Sequence, residues 1–167
     1  MKKLFAMATA IVFTASISAF AADTNPENVT SKIIDYQMSF RKIVLSNDIE
    51  LVLQEDGEKS LKVSGKEADV EKVDWKIKNN VLYLKSKKGS LKDKVVVTLS
   101  VHQLEEIVIK GESAVNSAGW LTSPNLHVYI AGDSFVSIRN VGQIYVKNTP
   151  DTDLDVKKIV GEVKIGK

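Results

Sequence analysis

Ile107-Val108-Ile109-Lys110-Gly111-Glu112-Ser113-Ala114-Val115 returns 21 residues later as Val128-Tyr129-Ile130-Ala131-Gly132-Asp133-Ser134-Phe135-Val136. The shared pattern is Ile/Val-x-Ile-x-Gly-acid-Ser-x-Val. A third, degraded copy begins at Ile144-Tyr145-Val146-Lys147-Asn148, with Asn in place of Gly, and a last strand runs through Val163 and Ile165. Side chains alternate faces along a strand, so strict alternation sends Ile107, Ile109, Gly111, Ser113 and Val115 to one side. Large residues then line the strands and small ones the bend. A coil of short strands stacked rung on rung needs that distribution, because the inside of a corner is cramped and Gly tolerates its backbone angles. A period near 21 suits one rung of such a solenoid.

Working outward, alternation persists through Ile49, Leu51, Leu53; Val73, Trp75, Ile77; and Val95, Val97, Leu99, Val101. The breaks carry turn chemistry: Asp56-Gly57, Gly65, Asn79-Asn80, Gly89, Pro124-Asn125 and Pro150-Asp151. Glu67 to Lys72 is the one stretch with room for a helical turn. The expected fold is all-β: a short single-stranded right-handed β-helix with a hairpin-containing N-terminal part. Asn79-Asn80 between two strand-like runs keeps a β-sandwich of hairpins as the alternative. No long amphipathic helix interrupts the strands, which excludes βαβ folds and helical bundles.

Lys2 and Lys3 precede an uncharged run from Leu4 to Ala22, and Ala19-Phe20-Ala21 offers a small-x-small cleavage pattern, so residues 1–21 read as a signal peptide. An uncleaved membrane anchor is the alternative, disfavoured by Thr9, Thr14, Ser16 and Ser18 within the run. Residues 22–39 read as a linker and first strand, and 40–167 as a single β-helical domain. Losing Lys2 and Lys3 from 23 basic side chains leaves 21, matching the 21 acids, so the exported chain has no net charge to attract nucleic acid. There is no cysteine, hence no disulfide framework and no lipid-attachment site.

Several segments, in order, resemble a family of exported bacterial adhesins with a head GIN domain. They are Phe40-Arg41-Lys42-Ile43, then Asn47-Asp48-Ile49-Glu50-Leu51, Leu61-Lys62-Val63, Val73-Asp74-Trp75, Asn80-Val81-Leu82-Tyr83-Leu84, Val97-Thr98-Leu99-Ser100-Val101 and the Gly-x-Ser units at Gly111 and Gly132. The resemblance implies the right-handed β-helix and implies no established reaction. The chain departs from the family pattern in having Ser46-Asn47-Asp48 where glycines are usual and Gly-Glu-Ser and Gly-Asp-Ser in place of Gly-Gly-Ser. A short stack is expected.

Candidate chemistry is sparse. The only histidines, His102 and His127, fall on the outward phase and suit solvated strand positions better than metal ligation. Asp151, Asp153, Asp155 and Glu162 imitate the acidic positions of a calcium loop, but Val156 stands where the loop needs Gly, so turn-forming acids are the better account. Serines lack a base or a Gly-x-Ser-x-Gly elbow. No catalytic residue, metal or cofactor is expected. Lys85, Lys87, Lys88, Lys92 and Lys94 gather around Gly89, where a solvated loop is the default and contact with anionic glycan or lipid headgroups the alternative.

The outward phase of the repeat is richer. Aligned on the repeat, Val108, Tyr129 and Tyr145 fall on equivalent positions in successive rungs, Phe135 also points outward, and Trp120 sits in the loop Ala118 to Ser123. Flat aromatic surfaces suit sugar rings or a protein partner, and the alternative is that these rings pack under loops. The expected function is a non-enzymatic, exported binding module of the cell envelope, periplasmic or at the cell surface, recognising glycan or an envelope protein through Val108, Tyr129, Tyr145, Phe135 and Trp120. It would make no stable membrane insertion after signal cleavage. A self-assembling structural protein, a homo-oligomer formed by end or face stacking, is the second expectation. A small carbohydrate-active enzyme using acids such as Glu112 or Asp133 is the third.

Overall fold

The computed structural model describes residues 29–87, 91–148, 155–156 and 163–166. The first half runs β1 (Val29–Asp35), β2 (Lys42–Ser46), β3 (Ile49–Gln54), β4 (Ser60–Lys66), the single helical turn α1 (Glu67–Val70), β5 (Val73–Lys78) and β6 (Val81–Ser86). There follow β7 (Val95–Ser100), β8 (Glu106–Lys110), β9 (Ser113–Leu121), β10 (Asn125–Ala131), β11 (Ser134–Asn140), β12 (Gln143–Asn148), β13 (Asp155–Val156) and β14 (Val163–Gly166). The helix falls inside the one stretch the sequence left open to it. The expected signal peptide at 1–21 lies outside the described residues, as do the acids Asp151, Asp153 and Glu162.

The strands form two mixed seven-stranded sheets. Sheet A has the order β1-β4-β7-β3-β9-β11-β13, and sheet B the order β14-β12-β10-β8-β2-β6-β5. Neighbours are antiparallel at β1–β4, β4–β7 and β5–β6, and parallel everywhere else. The β5–β6 hairpin turns through Asn79 (φ 53°) and Asn80 (φ 60°), both in the left-handed region that a two-residue hairpin turn requires and Asn tolerates. From β8 onward each strand leaves for the other sheet and pairs in parallel with the strand two places later. The pair β2 and β3 lies in the interior of the order, between β6/β7 on one side and β8/β9 on the other.

Alternation fills one core from both sheets. Ile43 and Leu45 of β2, Leu51 and Leu53 of β3, Val97 and Leu99 of β7, Ile107 and Ile109 of β8 and Val115 of β9 are all fully buried and belong to one cluster. Leu51 sits in register between Val97 and Val115. Full burial of such a side chain contributes roughly 1.5–3 kcal/mol, so the ladder of aliphatic pairs, not the turns, carries most of the stability.

Two corners show why the repeat is spelled as it is. At the first, Asn47 (φ 64°), Gly111 (φ 87°) and Gly132 (φ 119°) form a column joined by backbone bonds: Asn47 N–H donates to Lys110 O at 3.1 Å and Gly111 N–H to Ala131 O at 2.8 Å. A Cβ on Gly132 would stand 2.8 Å from Gly111 Cα, so the stack itself demands glycine there. Ser134 Oγ donates to Gly111 O at 2.8 Å and Ser113 is buried, as small corner residues should be. At the second corner the fully buried Asn140 donates from Nδ2 to Ser123 O at 2.8 Å. There a Cβ on Gly142 would run into the carbonyl oxygens of Ser123 and Pro124.

Candidate functional site

The outward side of sheet B is a ruled surface, because parallel pairing in register sets equivalent side chains in columns across the strands. One column runs Lys76, Tyr83, Val44, Val108, Tyr129, Lys147. The next runs Lys78, Val81, Lys42, Glu106, His127, Tyr145, Lys164. Tyr129 is 38% exposed, while Val44, Tyr83 and Val108 are half-buried among their neighbours. The Lys76 ammonium stands 5.3 Å from the Tyr83 ring centre. His127 and Tyr145 stack with centroids 4.9 Å apart and planes inclined by 13°, and the Lys164 ammonium lies 5.6 Å from the Tyr145 ring. Tyr145 is further held by a hydrogen bond from its hydroxyl to Gln143 Oε1. These are flat, pre-oriented rings on a sheet that cannot rearrange cheaply, which is what stacking on a planar ligand face needs.

The five residues singled out from sequence do not share one surface. Val108 and Tyr129 are cross-strand partners, as expected. Tyr145 is not the next member of their column: it pairs with His127, and Tyr129 pairs with Lys147. The first repeat spans 21 residues (Val128 opposite Ile107) but the second only 18 (Val146 opposite Val128). The difference has two sources. β9 carries a bulge, spending Asn116 to Trp120 where β11 spends Ser137 to Arg139, and the connection from Leu121 to Asn125 is one residue longer than that from Asn140 to Gln143. Phe135 points outward from sheet A, beside Ala114, and so faces away from the tyrosines. Trp120 is not in a loop: it lies within β9 beyond the bulge, opposite Arg139 and 49% exposed.

Two residues of the aromatic column, Val44 and Tyr83, escaped sequence reading. Alternation alone points them outward, but only the strand order brings β6 and β2 alongside β8. Glu112 and Asp133 lie exposed on the first corner, His102 is exposed, and among the described residues no three His, Cys, Asp or Glu side chains come together as a metal site. Lys85 belongs to the sheet B face, 3.6 Å from Asp74, while Lys88 and Gly89 lie outside the described residues.

A second feature is a recess of about 430 Å³ at one end of the strands, lined by Tyr36, Phe40, Arg41, Glu58, Ser100 and His102 among others. The Tyr36 hydroxyl donates to Ser100 O at 2.5 Å. Burial, and then the negative charge of Asp56, push the Tyr36 phenol up to about 12. None of the residues singled out from sequence enters this recess. Its walls are mostly the plug that closes this end of the core, Tyr36 and Phe40 with ring centres 5.5 Å apart.

The family described as "Putative auto-transporter adhesin, head GIN domain" matches residues 39–165. Among solved structures, an adhesin of Parabacteroides distasonis is similar at 12% identity, over 83% of this chain and 97% of that one, with a TM-score of 0.45. An adhesin of Bacteroides fragilis is similar at 17% identity over 83% and 97%, TM-score 0.43. A cell adhesion protein of Clostridium sporogenes is similar at 15% identity over 74% and 73%, TM-score 0.38. No curated protein matches the chain. No helix among the described residues is long and apolar enough to cross a membrane.

Proposed function

This chain belongs to the head GIN domain adhesin family, and on that premise we propose that it is an exported, non-enzymatic binding module that presents the outer face of sheet B to a glycan of the cell envelope. The observation that carries the reading is the unbroken outward column Tyr83, Val44, Val108, Tyr129, flanked by the stacked His127 and Tyr145. Exposed aromatic rings held in a plane lose little freedom on binding and offer their faces to sugar C–H groups. Phe135 and Trp120 take no part in this site. In the same proposal residues 1–21 direct export, 22–39 are linker and first strand, and the rest coils as a short β-helix. Support for the coil is the alternation of successive strands between two sheets, with parallel pairing one repeat on.

The test is glycan-array binding of the purified protein against Tyr129→Ser combined with Tyr145→Ser. Loss of every bound glycan class in the double variant is expected, with no turnover of any glycan by the parent protein. Unchanged binding in that variant would remove the assignment.

A self-assembling role has one observation in its favour. Edge strand β1 exposes Val29 (75%) and Ile33 (67%) beside unpaired backbone groups. Sedimentation that shows association rising with concentration, and reversed by Ile33→Lys, would favour it. A monomer at all concentrations would exclude it.

A further inference from the structure

The topology sorts charge in a way that the neutral sequence conceals. Outward positions of sheet B hold seven lysines, at 42, 76, 78, 85, 110, 147 and 164, against two acids, Asp74 and Glu106. Both acids are already spent on lysines: Lys42 Nζ lies 2.8 Å from Glu106 and Lys85 Nζ 3.6 Å from Asp74. Among the described residues, Lys110 and Lys147 make no ion pair, and they stand exposed on either side of Tyr129. The outward side of sheet A is different, with three basic and two acidic side chains among those described, at Lys62, Lys66, Arg139, Asp35 and Glu50. Net charge therefore says nothing about partners here, because the field is set by how strands alternate between the sheets.

We propose that the ligand of this face is a polyanionic glycan, one bearing carboxylates or sulfates at regular intervals, with sugar rings on Tyr129 and its column and anionic groups on the lysines to either side. This rests on the glycan-binding reading above and names the ligand class. The rungs repeat every ~4.8 Å, so cations and rings recur along a line that an extended chain can follow. A bilayer surface is less suited, since the apolar members Val44 and Val108 are half-buried between longer polar neighbours and cannot enter an acyl layer.

Affinity for polygalacturonate, heparin, neutral dextran, phosphatidylglycerol vesicles and oligothymidine tests the proposal. The variants are Lys110→Glu with Lys147→Glu, and the charge-matched control Lys62→Glu with Arg139→Glu on sheet A. Circular dichroism checks folding, and Lys110→Gln with Lys147→Gln replaces the reversals if they do not fold. Polygalacturonate or heparin binding is expected to weaken roughly tenfold in the sheet B variant and less than twofold in the control. It should also fall steeply as ionic strength rises from about 0.05 to about 0.5 M. Dextran binding that needs Tyr129 but neither lysine would leave the glycan-binding face standing and overturn its anionic ligand. Polyanion binding untouched by the sheet B reversals, or vesicles or oligothymidine held as tightly as the glycans, would overturn it too. No binding to any glycan would overturn both.

Discussion

Three glycines allow the two costs of adding a single methyl group to be measured separately in one molecule. Gly57 has φ +80° and nothing within 4 Å of the site a Cβ would occupy, so Gly57→Ala pays for conformation alone. A left-handed backbone costs an L-residue roughly 1–2 kcal/mol, partly offset by about 0.4–1 kcal/mol from the stiffer unfolded chain, for a net loss near 1 kcal/mol. Gly142 is the reverse: its φ is ordinary, but a Cβ would overlap the Ser123 and Pro124 carbonyl oxygens, backbone atoms pinned by the Gln143 N–H···O Pro124 bond at 2.9 Å. Crowding of that kind costs typically 1–3 kcal/mol and sits at the upper end where the obstacle is backbone. Gly132 carries both burdens, with φ +119° and Gly111 Cα, N and O all at 2.8–2.9 Å. Gly132→Ala is therefore expected to lose about 3–5 kcal/mol, a large part of the total stability of a small domain. Urea unfolding of the three variants at constant pH and temperature, followed by circular dichroism, gives the losses from the midpoints at a common slope. The expected order is Gly132 worst, Gly142 next, Gly57 mildest. Should Gly132→Ala unfold within 0.5 kcal/mol of Gly57→Ala, the rungs cannot be packed backbone to backbone at that corner.

Other outcomes follow from the same geometry. Leu51→Ala, which empties a fully buried site between Val97 and Val115, should cost roughly 2–5 kcal/mol in the same urea assay. Asn80→Gly should stabilise the β5–β6 hairpin by up to about 1 kcal/mol, since its φ of 60° suits Gly better than any side chain, whereas Asn80→Ala should destabilise it. The raised Tyr36 phenol contributes stability that is complete below pH 10 and declines as pH climbs toward about 12, so Tyr36→Phe should flatten the alkaline limb of a stability-against-pH curve. Asp69 behaves oppositely. Lys72 first, at 2.6 Å, and the N–H groups of Lys92 and Asp93 hold its carboxyl below the usual range, so its contribution is present above pH 3.8 and fades as pH falls through the lowered value. Asp69→Asn should blunt that acid limb, and an unchanged limb would show that the carboxylate is not held as described.

Much of this architecture could be read from spacing. Alternation named the buried residues of β3, β7 and β8, Asn79-Asn80 named the hairpin, and the Gly-acid-Ser unit named a corner whose glycines have positive φ. What escaped was everything that depends on how segments far apart in sequence sit side by side. Asn148 imitates the corner glycine of the repeat, yet it pairs with Ile130 inside the sheet, because a bulge in β9 changes the length of a rung without changing its pattern. Tyr145 was misplaced by two residues for that reason alone. The basic face was missed for a related one: a lysine between two aliphatic residues reads the same whichever sheet its strand joins, and only the strand order gathers seven of them.

That order also bears on how the chain reaches its native state. In a linear array each unit docks on the one made just before it, so structure can spread from either end. Here Ile43 lies between Leu82 and Ile107, partners 39 and 64 residues further along the chain. The β2/β3 pair, among the earliest strands to leave a ribosome or an export channel, gains no sheet partner until much later segments arrive on both its flanks. Such long closures make assembly slow, on the scale of milliseconds to seconds, and leave Leu45, Leu51 and Leu53 uncovered in the interval. A chain threaded this way needs protection of its first strands from aggregation most while its last strands are still being delivered.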